Sequence, residues 1–171
     1  SAFTQTQKRI LRFALWTGCR TGEVCSAEWE YIDLVKATLH LRATKTEAER
    51  YVQLPTQAVN FLKQLRLETG KYLFPSFKTQ LPIQQKAITE QAWLMHRDDK
   101  MLDIEHWVPH DLRRTVRTGL SRLKCPSEVA EAVLGHARSG IEGTYDLHKY
   151  EERCKEWLQK WADHMDQLLT N

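Results

Sequence analysis

No stretch of the sequence is long and apolar enough to cross a bilayer, which requires about 20 consecutive apolar residues. The first residues, SAFTQTQKRI, also lack the apolar centre of a secretory signal peptide. Internal repeats, low-complexity tracts and clear linkers are equally absent. These absences argue against membrane and secreted proteins, and we expect a cytoplasmic protein.

Cysteine is scarce, and its positions follow neither the Cys-x-x-Cys pattern nor the Cys/His spacing of a zinc site. A chain of 171 residues with 42% hydrophobic residues can build its core without disulfide bonds. We therefore expect reduced thiols and, because no metal cluster is visible in the sequence, predict metal-independent chemistry. The four cysteines are Cys19, Cys25, Cys125 and Cys154.

An excess of one charge is missing as well, because 25 basic residues stand against 22 acidic ones and the net charge is only +3. This balance excludes a uniformly cationic surface but leaves room for local basic patches. The composition thus permits a nucleic-acid partner without requiring one.

Hydrophobic periodicity predicts a mainly helical chain with one small antiparallel sheet, which is an α+β fold. Alternating residues along 37–44 and 51–54 indicate two strands joined as a hairpin. Pro55 opens a helix whose apolar spacing continues as far as Gly70. The other predicted helices cover residues 6–16, a short segment capped by Thr21, and residues 83–96, 110–123, 127–134 and 150–168.

An apolar stripe runs along the terminal helix for about five turns. Such a stripe must be buried, either on the helix's own domain or on a neighbouring molecule, and the sequence leaves both alternatives open. Its residues are Tyr150, Cys154, Trp157, Leu158, Trp161, Met165 and Leu168.

The segment 110–145 gathers polar residues that are typical of a site for attack on a phosphodiester. His110 and Arg113 share one face of a predicted helix, away from its apolar stripe. Gly135 predicts a left-handed helix stop, so His136 follows a helix end and is well placed to line a cleft. Tyr145 lies in a polar segment without apolar neighbours, where its hydroxyl can act as a nucleophile. Each residue taken singly also fits a solvated surface; the combination favours a site.

Two further basic residues lie where they can face a cleft. Arg20 is expected at the entrance of a short helix, although pairing with Glu23 or Glu28 on the surface is the alternative. Lys45 is expected near the tip of the hairpin. It can either protect the sheet edge as a solvated charge or reach over a bound substrate.

In chain order, TGCRTGE, TKT, HDLR, LGH and Tyr145 resemble the pattern of the tyrosine recombinases, the phage integrase family. The resemblance implies a tyrosine recombinase catalytic core, and the terminal helix resembles the tail of prophage-type integrases. It also implies that residues 1–171 form a single C-terminal catalytic domain. The upstream DNA-binding domains usual in the family are absent from this sequence, so we expect an excised domain.

The resemblance implies DNA strand cleavage and rejoining through a 3′-phosphotyrosine intermediate, with Tyr145 as the nucleophile. The ester conserves the energy of the phosphodiester bond, so no nucleotide cofactor is required. Attack on phosphorus builds negative charge on the non-bridging oxygens, which the guanidinium groups of Arg20 and Arg113 can contact in bidentate fashion.

The remaining residues are expected to move protons or to orient other groups. Lys45 can protonate the departing 5′ oxygen, whereas the division of labour between His110 and His136 stays open. Glu23 is expected to orient Arg20 without touching substrate. Tyr150 is a second tyrosine near the nucleophile, but it falls in the stripe of the terminal helix.

The implied function is integration or excision of a prophage or genomic island by a site-specific recombinase. Its implied partners are double-stranded DNA attachment sites, a homotetramer on that DNA, and accessory DNA-bending or excisionase proteins. Its implied place is the bacterial cytoplasm, with nucleoid association during action. A topoisomerase-like relaxing enzyme of type IB and an inactive DNA-binding regulatory module are the alternatives.

Overall fold

The computed structural model describes residues 3–45, 47–100, 104–136 and 147–170. Helices dominate these ranges, and a three-stranded antiparallel sheet accompanies them, so the predicted fold class is confirmed. The helices are α1 (Gln5–Thr17), α2 (Thr21–Cys25), α3 (Thr56–Leu65), α4 (Gln85–Arg97), α5 (Asp111–Arg122), α6 (Ser127–Val133) and α7 (Leu147–Thr170). The strands are β1 (Ile32–Asp33), β2 (Thr38–Leu41) and β3 (Arg50–Gln53).

The sheet has the order β1-β2-β3, and β2 and β3 form the predicted hairpin. Leu39 lies opposite Val52, and both are buried on the core side, whereas the next pair, His40 and Tyr51, lies on the other face. Strand β2 is shorter than predicted because the residues around the turn leave the ladder after Leu41, whereas β3 has its predicted length and starts one residue earlier. The two-residue β1 was missed, since no alternation can be read from so short a strand.

Helix ends agree with the sequence in most places and differ in two. Gly18 ends α1 with a φ of +69°, and Gly135 follows α6 with a φ of +71°, as predicted. The prediction that Thr21 caps α2 was wrong. Arg20 is the N-cap, and its backbone N–H donates to Glu23 Oε2 at 2.7 Å, so a side chain from inside the helix closes this end. The helix after Pro55 ends at Leu65 rather than near Gly70.

The buried apolar residues form two clusters. The first joins α1, α2, the sheet, α3 and the start of α4 around Phe13 and Phe74. The second joins α5, α6 and α7 around Val116 and Leu158. Gly18 lies where the clusters meet, because a Cβ there would be 3.0 Å from Leu134 and 3.4 Å from Val116.

The terminal helix α7 packs on its own chain. Cys154, Leu158 and Trp161 are buried in the second cluster, and Trp161 Nε1–H donates to the carbonyl of Leu15 at 2.8 Å. Leu168, which was predicted in the buried stripe, is 63% exposed because the helix extends beyond the residues it packs against. Within the described ranges, neither α7 nor any other helix combines the length and the apolarity needed to span a membrane.

The four cysteines all lie in the described part of the chain, where each is buried and has a free thiol. Burial raises the pKa of Cys25 to about 11 and that of Cys154 to about 12. Because the thiolate is the reactive form of cysteine, these thiols are chemically quiet at neutral pH.

Candidate active site

Arg20 lies at the entrance of α2, as predicted, with its side chain 31% exposed. Its Nη1 is 3.2 Å from Glu23 Oε1, and its Nη2 is 3.0 Å from Glu47 Oε1. Glu28, the other acidic partner considered from the sequence, pairs with Lys71 instead. The guanidinium of Arg20 therefore faces a cleft between two carboxylates that come from different elements.

Arg113 projects from the first turn of α5 into the interior and is 4% exposed. Its Nη1 donates to the carbonyl of Gly18 at 2.7 Å, and its Nη2 donates to the carbonyl of Leu134 at 2.9 Å. These carbonyls lie at the C-terminal ends of α1 and α6, where the partial negative charge of a helix favours a cation. Burial, together with the nearby charge of Arg20, lowers the pKa of Arg113.

His136 is fixed by contacts to both of its ring nitrogens. Nε2 is 3.0 Å from Nη2 of Arg113, and Nδ1 is 2.9 Å from Oε2 of Glu131. Because a guanidinium can only donate, the geometry assigns the proton to Nδ1 and leaves Nε2 as an acceptor. Glu131 also accepts from Arg117 Nε at 2.7 Å, and this bond and then the bond to His136 lower the pKa of Glu131.

Arg50 belongs to the same cluster, although the sequence did not single it out. Its Nη1 and Nη2 donate to the two carboxylate oxygens of Glu23, each at 3.0 Å. From the sequence, Arg50 looks like a polar residue that leads into a strand. Only the fold brings the start of β3 against the start of α2, so no local pattern could have identified this pair.

The structure brings Arg20, Arg113 and His136 together, while Lys45 and His110 are exposed and their side chains make no described contact with the three. Lys45 lies in the turn of the hairpin, which is closed by the Thr44 N–H bond to the carbonyl of Glu47 at 2.9 Å. His110 is the N-cap of α5, one turn before Arg113.

A cavity of about 560 Å³ opens between β3, α6 and α7 and contains part of this cluster. Arg20, Arg50 and His136 line it, and so does the half-buried Tyr150. Tyr145, the predicted nucleophile, lies outside the described residues. Among the residues that are described, no group of three or more His, Cys, Asp or Glu side chains is arranged to hold a metal ion.

The arrangement suits the binding of an oxyanion such as a phosphate. Arg20 offers a half-exposed guanidinium, and the carboxylate of Glu47 stands where a second anion could contact it. His136 accepts from Arg113 through Nε2, and this bond fixes its ring within the same cluster. Fixed cationic donors are the groups that phosphoryl transfer needs when charge develops on non-bridging oxygens.

The model of the phage integrase family matches residues 2–152 of the chain. The prophage integrase IntZ of Escherichia coli strain K12 is 29% identical over 165 residues, which cover 94% of this chain and 40% of that protein. The chain spans between 34% and 41% of the length of the curated relatives it matches.

Several solved structures share the fold, and two of them illustrate the similarity. A λ integrase dimer bound to a COC′ core site superimposes with a TM-score of 0.63 at 19% identity, over 83% of this chain and 54% of that chain. An integrase from mycobacterium phage Brujita superimposes with a TM-score of 0.67 at 13% identity, over 93% of this chain and 52% of that chain. Because the family match covers most of its length, the chain belongs to the phage integrase family.

Proposed function

We propose that this chain is the catalytic domain of a site-specific DNA recombinase that integrates or excises a prophage or genomic island. The observation that carries the proposal is the meeting of Arg20, Arg113 and His136 in one cluster, in the chain order of the family pattern. Membership of the phage integrase family favours a recombinase over the relaxing enzyme and the inactive binding module.

In the proposed reaction, the hydroxyl oxygen of Tyr145 attacks a DNA phosphorus atom. A bond forms between phosphorus and the tyrosine oxygen, and the bond between phosphorus and the 5′ oxygen breaks. Arg20 and Arg113 stabilise the charge on the non-bridging oxygens. The reverse attack by a 5′ hydroxyl on the phosphotyrosine rejoins the strand and releases Tyr145.

Two proton transfers accompany the exchange of bonds. Lys45, on the exposed turn of the hairpin, donates a proton to the departing 5′ oxygen. Nε2 of His136, which accepts from Arg113 in this structure, can remove the tyrosine proton once Arg113 Nη2 turns from it to the phosphate, and the exposed His110 can donate to a non-bridging oxygen. Glu23 keeps Arg20 in place without contact to the substrate.

The proposed substrate is double-stranded DNA. The λ integrase structure that shares the fold is bound to a DNA core site, and this supports DNA as the substrate here. We further propose upstream DNA-binding domains, a tetramer on the attachment sites, accessory DNA-bending or excisionase proteins, and association with the nucleoid during action.

The substitution Tyr145→Phe tests the proposal. It removes one hydroxyl with little change in packing, so covalent protein–DNA complex on a nicked suicide substrate should vanish while DNA binding is retained. Tyr150→Phe is the matched control, because Tyr150 lines the cavity and competes as a candidate nucleophile. A complex that persists in Tyr145→Phe and is lost in Tyr150→Phe would reverse the assignment.

A further inference from the structure

The side chain of Arg50 connects three parts of the site. It starts β3, it binds the carboxylate of Glu23 in α2, and it lies against Gly135 in the turn that precedes His136. A Cβ built on Gly135 would be 2.4 Å from Arg50 Nη1 and 2.7 Å from Arg50 Cζ. Glycine at this position therefore allows the guanidinium and the His136 turn to touch.

The charge of Arg50 is neutralised by a carboxylate, whereas Arg113 binds neutral acceptors and keeps its charge for a phosphate. The two terminal nitrogens of Arg50 are both engaged by Glu23 at 3.0 Å, and its side chain is only 11% exposed. Its Nε is buried and makes no hydrogen bond of normal geometry, although the side chain of Cys19 interacts with the guanidinium. The charged, two-bond pairing with Glu23 is therefore the main polar contact of Arg50.

Glu23 contacts both Arg50 and Arg20 and so links their positions. Its Oε2 accepts from the backbone N–H of Arg20 at 2.7 Å, and its Oε1 is 3.2 Å from Nη1 of Arg20. The carboxylate is thus shared between two guanidinium groups. The Nη2 edge of Arg20 is left to a different anion, and in this structure that anion is the carboxylate of Glu47 at 3.0 Å.

We propose that Arg50 is a positioning residue for strand cleavage: it holds Glu23 so that Arg20 presents its Nη2 edge to the scissile phosphate. The inference rests on the proposed function. Without Arg50, the carboxylate of Glu23 keeps only its bonds to Arg20, and it can then turn towards the guanidinium of Arg20 with both oxygens. Arg20 would then lose the edge that a phosphate requires, and a displacement of about 1 Å in such a group can slow a reaction about 10²-fold.

Substitution of Arg50 by Lys and by Met separates geometry from charge. Lysine keeps the positive charge but cannot make the two parallel bonds to Glu23. Methionine removes the positive charge and the two bonds. Arg66→Met is the matched control, because Arg66 is an arginine stacked on Trp29 at 4.9 Å and has no role in the site. Circular dichroism of each variant gives the folded fraction by which its rate is corrected.

The measurement is single-turnover formation of covalent complex on a nicked duplex, followed over a range of protein concentrations. We expect the maximal rate to fall about 10- to 100-fold in Arg50→Met and by a smaller factor in Arg50→Lys. The half-saturating concentration should change less than about threefold. Arg66→Met should behave like the unsubstituted protein.

A double variant tests the route through Glu23. If Arg50 acts through Glu23, the double variant with Arg50→Met and Glu23→Gln should cleave no more slowly than Glu23→Gln alone, because the losses of coupled residues do not add. Full multiplication of the two losses would overturn the inference. So would an unchanged rate in both Arg50 variants, or a loss confined to the half-saturating concentration, which would make Arg50 a DNA ligand. Absence of covalent complex with the unsubstituted protein would instead overturn the proposed function and the inference with it.

Discussion

Arg113 supports the fold and the site with the same guanidinium group. It closes the C-terminal ends of α1 and α6 through the carbonyls of Gly18 and Leu134, and it contacts Nε2 of His136. A substitution of Arg113 therefore affects both stability and catalysis. Both should fall when its planar guanidinium group is lost.

Arg113→Lys should lower the free energy of unfolding by about 1–3 kcal/mol, because an ammonium cannot reach both carbonyls and one buried acceptor is left unpaired. Covalent complex formation should slow by about 10²- to 10³-fold, as expected when a fixed donor to the reacting phosphate is removed. Urea denaturation and the nicked-substrate assay measure the two effects.

Arg114→Lys is the matched control for this substitution. Arg114 is the next residue in α5, its side chain is 76% exposed, and it pairs with Asp111 at the surface. Its replacement should change the free energy of unfolding by no more than about 0.5 kcal/mol. Equal stability of the two lysine variants would contradict the role given to Arg113.

The β2–β3 hairpin is the element that joins the most site residues. Lys45 is exposed at its turn, Glu47 reaches back to Arg20, and Arg50 enters the cluster from the start of β3. In this arrangement an acidic side chain of the hairpin holds the edge of Arg20 that we assign to phosphate. When DNA binds, its phosphate must replace the carboxylate of Glu47 at Arg20.

Glu47→Gln should strengthen binding to duplex DNA by about two- to fivefold. The pair of Arg20 with the 37% exposed Glu47 is partly solvated, and such pairs contribute up to about 1 kcal/mol. Fluorescence anisotropy at fixed salt measures the affinity. Glu49→Gln is the control, since it changes the net charge equally but removes a partner of His40 instead. Equal gains from both variants would mean that only the general charge matters.

The packing of α7 against α5 depends on a glycine. A Cβ built on Gly119 would be 2.1 Å from Cζ3 of Trp161, so Gly119→Ala should force the helices apart and destabilise the protein by about 1–3 kcal/mol. Gly70→Ala is the control because its Cβ meets nothing within 4 Å. Urea denaturation compares the two. Equal stability would place α7 elsewhere, for example on a neighbouring molecule.

Helices were predictable from the sequence where one face is buried throughout. Val116 and Leu120 of α5 have the spacing of a buried stripe, and both are fully buried. The stop at Gly135 was also predictable, because a left-handed residue after a helix is a local property of the chain.

Contacts between distant segments could not be predicted in the same way. The pairs Arg50 with Glu23 and Glu47 with Arg20 join residues 27 positions apart, and no periodicity reports on such pairs. The exposure of Leu168 was missed because the apolar pattern of α7 continues past the surface that covers it.

At the scale of the whole molecule, the site lies across the boundary between the two apolar clusters. Arg20 and Arg50 are carried by elements of the first cluster, and Arg113 and His136 by elements of the second. The terminal helix is part of the second cluster, since Leu158 and Trp161 are buried there.

Removal of residues 150–171 should lower the melting temperature by at least about 10 °C, because several buried side chains are lost and each contributes about 2–5 kcal/mol. Removal of residues 167–171 is the control, since the described residues among them are exposed. Thermal melts followed by circular dichroism measure both, and light scattering reports the mass. An unchanged melt after the longer deletion would contradict packing of α7 on its own chain.

The boundary between the clusters also sets how long the site stays assembled. Each brief opening that separates α5 and α6 from α1 would break the bonds of Arg113 to Gly18 and part His136 from Arg20, while both clusters stay folded. A DNA phosphate held by Arg20 and Arg113 at once would bridge the boundary. Bound DNA would then hold the two clusters together and slow the exchange of amide hydrogens with solvent on both sides of the cleft.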